Sequence, residues 1–110
     1  MRIEFANKDV EKMCTDSRRM ESLLPKKVAI ALQKLIYKLC ALEQIDSFRR
    51  CSELKSYKLH KLKGKVYEKR AVYALRIEYQ YRMELVICIE SDESGQSLIK
   101  ILEISNHYGD

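Results

Sequence analysis

The hydrophobic period of this chain changes once along its length, and that change limits the possible folds more than any other feature. After Pro25 the apolar residues Val28, Ala31, Leu32, Leu35, Ile36, Leu39, Leu42 and Ile45 recur at the spacing of one helix face, while Lys26, Lys27, Gln33, Lys34, Lys38 and Glu43 take the other. Proline suits the first helical position, where its missing N–H has no partner to lose. From Lys55 onward the period becomes two. Tyr57 and Leu59 lead to a predicted turn at Gly64, and Tyr73, Leu75 and Ile77 alternate with Ala74 and Arg76. Tyr81, Met83, Leu85, Ile87 and Ile89 share one face of the next strand, Ser91 to Gly95 supplies turn chemistry, and Leu98 to Ile104 is the last apolar run.

Upstream, Met1 to Phe5 alternates weakly and predicts an opening strand. Asn7 or Asp9 then caps a short helix running to about Ser22, because either side chain can accept an unpaired N–H of the first turn. The expectation is an α+β domain of two layers, an N-terminal helical hairpin packed on a C-terminal antiparallel sheet. With 110 residues, 46% of them hydrophobic, the chain suffices for one core and not two, so residues 1–110 read as a single domain. No run approaches the roughly 20 apolar residues of a membrane span, and the start lacks the apolar core of a secretory signal, which predicts a cytoplasmic protein with no membrane partner.

Charge is distributed unevenly. Residues 1–45 carry nine basic and six acidic groups, residues 46–82 eleven and four, and residues 83–110 one and six. A positive field concentrated mid-chain favours a polyanionic partner, since each cation that meets a phosphate releases counterions; a solvated charged face is the plainer alternative. The two histidines, His60 and His107, both fall at the edges of predicted elements. Imidazole exchanges protons near neutrality, and lysine or arginine can neutralise charge developing on a phosphate.

Four segments carry a family resemblance. Leu59-His60-Lys61-Leu62-Lys63-Gly64, the strand Val72-Tyr73-Ala74-Leu75-Arg76-Ile77, Tyr81-Arg82-Met83, and the ending Ile101-Leu102-Glu103-Ile104-Ser105-Asn106-His107-Tyr108 resemble, in order and spacing, HigB-like members of the RelE/ParE toxin superfamily. The motifs span the C-terminal half; upstream, the helical hairpin with its Pro25 matches the family's layout. The resemblance implies a RelE-like fold and the toxin of a type II toxin–antitoxin system. It further implies an endoribonuclease that cuts mRNA in the A site of the 70S ribosome by attack of the RNA 2′-hydroxyl, without metal or cofactor, and that is held in check by a HigA-like helix-turn-helix antitoxin. His60 and Lys63 match the family's His-x-x-Lys pair, and Arg76 and Arg82 match arginines of its central strands. On this reading His60, Lys63, Arg82 and His107 are catalytic, and Lys58, Lys61, Lys65, Arg76, Asn106 and Tyr108 contact RNA. The ending departs from the familiar Asp-Tyr-His: Asn106 replaces the acid, and imidazole and phenol are exchanged. His107 is assigned proton transfer and Tyr108 stacking or a phosphate hydrogen bond.

Two other readings keep the fold: a ParE-like toxin directed at gyrase by protein contact, or a non-catalytic module that binds RNA or an antitoxin. Zinc is disfavoured, because Cys14, Cys40, Cys51, Cys88 and the histidines lack the close pairing of structural sites. Three of the cysteines lie in apolar surroundings and are expected to be buried. Tyr37, Tyr57, Tyr67, Tyr73, Tyr79 and Tyr81 are expected to be half-buried packing residues.

Overall fold

Asn7 starts the helical layer. Its side-chain oxygen accepts the Val10 amide at 2.9 Å, and α1 follows over Lys8–Thr15. The helix predicted to reach Ser22 is in fact two, because Asp16 closes α1 through its own amide to the Lys12 carbonyl and then caps α2 (Ser17–Leu23), accepting the Arg18 and Arg19 amides at 3.0 and 3.3 Å. An aspartate inside a helical stretch offers its backbone this local alternative. Pro25, with φ −55° and ψ 149°, is the capping residue of α3 (Lys26–Ala41). Of α3's apolar stripe, Val28, Leu32, Leu35 and Leu39 lose all contact with water, each contributing on the order of 1.5–3 kcal/mol. The chain is a computed structural model that describes residues 1–44 and 57–106, so Ile45 lies outside the described residues.

Among the described residues, five strands form one sheet in the order β1-β5-β4-β3-β2: β1 Arg2–Phe5, β2 His60–Tyr67, β3 Arg70–Arg76, β4 Tyr81–Ile89 and β5 Leu98–Asn106. The last four make the expected antiparallel meander, but β1 lies parallel to β5, with Arg2 beside Leu98 and Phe5 beside Ile101. The sheet is therefore mixed, not antiparallel. Side-chain alternation reports which face a residue takes and is blind to strand direction.

Gly64 does not make a turn. It sits inside β2 at φ +76°, in a bulge where residues 62–65 stand opposite the single residue Val72, and the hairpin turns instead at Glu68 and Lys69, both left-handed at φ +48° and +65°. A second bulge corrects β5. Glu84 faces Glu103 while Leu85 faces Ile101, so the extra residue Leu102 lets Ile101 and Ile104, three positions apart, both reach the helix side. The β4–β5 turn is an aspartate turn, Asp92 Oδ1 accepting the Ser94 and Gln96 amides, with Gly95 at φ +82°.

One side of the sheet presents Leu75, Ile77, Met83, Leu85, Ile99 and Ile101 to Val10, Cys14, Met20 and the α3 stripe. Among the described residues, three helices on one face of the sheet give the two-layer α+β architecture. Burial pushes the Cys14 thiol up to about 12, but Cys40 is exposed and Cys88 only half-buried, so one described cysteine of three meets the expectation. Tyr37 and Tyr79 also depart from it, at 80% and 59% exposed, because each projects from a helix or turn position that no neighbouring layer covers. No described helix is long and apolar enough to cross a membrane.

Candidate nucleic-acid interface

The alternate residues of the same strands build a second, charged face. Register sets its first row across four strands: His60 on β2 pairs with Ala74 on β3, Ala74 with Glu84 on β4, and Glu84 with Glu103 on β5. The next row runs Arg76, Arg82, Ser105. The two arginines thus share a face, as their even numbering predicts, because the Glu78–Tyr79 turn preserves register: the Ile77 amide donates to the Tyr81 carbonyl at 2.9 Å and Tyr79 takes φ +55°.

His60 is the first residue of β2, not the last of a strand before a glycine turn. Its Nδ1–H donates to the Lys58 carbonyl at 2.8 Å. A carbonyl oxygen only accepts, so in the neutral ring the proton resides on Nδ1 and Nε2 is left as the base. Lys58, at φ +49°, supplies that carbonyl from a left-handed backbone conformation. Ala74 contributes only a methyl between His60 and Glu84, which are roughly 10 Å apart across two strand spacings.

Glu84 is the centre of the face. It is 1% exposed in the middle of β4, and its carboxylate accepts from Lys65 Nζ at 2.5 Å, Arg82 Nε and Nη2 each at 3.2 Å, and Ser105 Oγ at 3.3 Å. Burial by itself raises such a carboxyl, but the hydrogen bonds from Lys65 and Glu103 and the charges of Lys65 and Arg82 outweigh it and hold Glu84 below the usual carboxylate range. Glu103 moves the other way: desolvation, then its hydrogen bond and charge repulsion with Glu84, raise it, against the pull of Lys65 at 3.9 Å and of Arg82.

The residues expected to act together divide between the two sides. His60, Lys65, Arg76 and Arg82 belong to the charged face. Lys61 pairs with Tyr73 and Asn106 with Tyr81, positions whose neighbours point to the helix side, and both are exposed. Lys63 is exposed within the β2 bulge, where strand alternation does not assign it a face. His107 and Tyr108 lie outside the described residues. Arg82 is largely buried, with its Nε and Nη2 on Glu84. Reading the sequence for cations missed Glu84, Glu103 and Ser105; the available signal was a glutamate inside the apolar run Met83-Glu84-Leu85-Val86, where burial demands a partner. Among the described residues no group of three or more His, Cys, Asp or Glu side chains is arranged to hold a metal ion. No family model, curated protein or solved structure matches the chain.

Proposed function

We propose that the protein is a HigB-like toxin with a RelE-like fold, a cytoplasmic endoribonuclease that cuts mRNA on the ribosome and is restrained by a helix-turn-helix antitoxin. One observation carries the reading: His60, with its Nε2 available as a base, stands on the sheet face that also holds the adjacent Arg76 and Arg82. These are the residue types and positions of the family motifs. In the reaction, His60 takes the proton of the RNA 2′-hydroxyl as that oxygen attacks phosphorus. The bond from phosphorus to the 5′ oxygen breaks, a 2′,3′-cyclic phosphate forms, and the leaving oxygen takes a proton from an acid, assigned to His107. Arg76 and Lys63 offset the charge developing on the phosphoryl oxygens, with Arg82 behind them.

The test replaces the 2′-hydroxyl with hydrogen at the scissile nucleotide of an mRNA on programmed ribosomes. Cutting is abolished while binding persists. Cleavage of the deoxy substrate assigns the attack to water or hydroxide and removes this role from His60. The engagement of Arg82 and Lys65 with Glu84 favours one second reading, a non-catalytic or gyrase-directed member of the same fold. Growth arrest by the wild-type chain with no cut mRNA selects it.

A further inference from the structure

Glu84 occupies a place where an apolar residue would serve the sheet at least as well, as Val86 does two positions on. Removing a carboxylate from water is unfavourable unless charge and hydrogen bonds replace hydration, and buried ion pairs are often no more stabilising than apolar groups of the same shape. The arrangement around Glu84 offers something an apolar residue cannot. Arg76 and Arg82 are direct cross-strand neighbours, a placement that repels. Lys65 reaches in from a bulged edge strand, where an unanchored lysine samples many rotamers. One carboxylate addresses both problems: two nitrogens of the Arg82 guanidinium and the Lys65 ammonium converge on it from different strands, with the Ser105 hydroxyl completing its hydrogen bonds.

We propose that Glu84 is the positioning residue of the charged face, holding the Arg82 guanidinium and the Lys65 ammonium in fixed directions so that a phosphodiester arriving there meets cations already oriented. Preorganised cations avoid the reorganisation that flexible ones undergo as charge develops on the phosphate. That the ligand is an RNA phosphodiester rests on the nuclease reading; the fixing of the cations is a property of the free chain.

The decisive measurement follows the arginine Nε–H groups of the whole chain by NMR. In the wild type, Arg82 Nε–H exchanges with water at least tenfold more slowly than that of exposed Arg76. Glu84→Gln removes this protection while the backbone amide spectrum stays folded, and Glu103→Gln leaves it in place, because the Arg82 Nε donates to Glu84. In cleavage assays Glu84→Gln lowers kcat about tenfold or more and leaves KM unchanged or lower, since a negative charge has left a polyanion-binding face. Loss of folded protein alone would not tighten RNA binding. Equal exchange at Arg82 and Arg76 in the wild type overturns the proposal without any variant, even if Glu84→Gln fails to fold. Undiminished protection and kcat in Glu84→Gln also overturn it. A wild-type chain that cuts no RNA but shows the protected Arg82 signal removes the nuclease reading and keeps the positioning role.

Discussion

The two faces of this sheet are built from the same strands and obey opposite rules. Toward the helices, Met83, Leu85, Ile99 and Ile101 share a core with α1, α2 and α3, and what matters there is apolar volume. One residue along each strand, Arg82, Glu84, Glu103 and Ser105 form a network in which each member is defined by its partners. The first face stabilises the molecule with interchangeable parts. The second holds charges that make no sense alone, which is where chemistry is to be sought.

The contrast is tested most strongly by Leu85→Ala, which should destabilise the fold by about 2–5 kcal/mol in chemical denaturation, the range for emptying a buried leucine site. A loss below about 1 kcal/mol would mean that the helix side is not the main core. At the proposed catalytic residues the expectation reverses. His60→Ala and Lys63→Ala should each slow cleavage roughly 100-fold, as expected for losing proton transfer or charge stabilisation, with the denaturation midpoint unmoved. Unfolding in either variant, with no separate rate effect, would erase the division between the faces.

A smaller effect concerns pH. Glu84, held below its ordinary value, contributes stability above the unfolded carboxylate pKa, and that contribution is lost as pH falls through its folded value. Glu103, raised, contributes stability below the unfolded value and loses it as pH rises through its folded one. Denaturation across the acid range should therefore show Glu103→Gln relieving the loss on the alkaline side, and Glu84→Gln flattening the acid side. The smallest effect separates the faces by salt. Arg76→Ala should reduce the dependence of log affinity for RNA on log salt by about one unit, and Lys61→Ala, on the helix-side register, by less. Equal slopes for the two variants would spread RNA contact over both sides.

Much of the layout was legible before any coordinates. The helix after Pro25, the alternating strands, the turn near Gly95 and the common face of Arg76 and Arg82 all follow from local rules of period and turn chemistry, although the helical stripe was read through Leu42 and the helix ends at Ala41. The break at Asp16 was a misjudged competition between helix and cap, although the capping residue was visible. The bulges were less accessible. Gly64 reads equally as a turn or a bulge, because both require its left-handed backbone, and only pairing with β3 distinguishes them.

By itself, the sequence determined the segregation of apolar and charged residues onto two faces, since periods of 3.6 and 2 are properties of the backbone. Only the tertiary structure decided that β1 lies parallel to β5, that Glu103 stands opposite Glu84, and that Lys65 and Arg82 converge on one buried carboxylate. Those facts depend on which strands meet and in what register, and on the three irregularities that shift it. Residues 65, 82, 84 and 103 come together only when the four strands β2 to β5 are paired, and no local pattern along the chain encodes that distance.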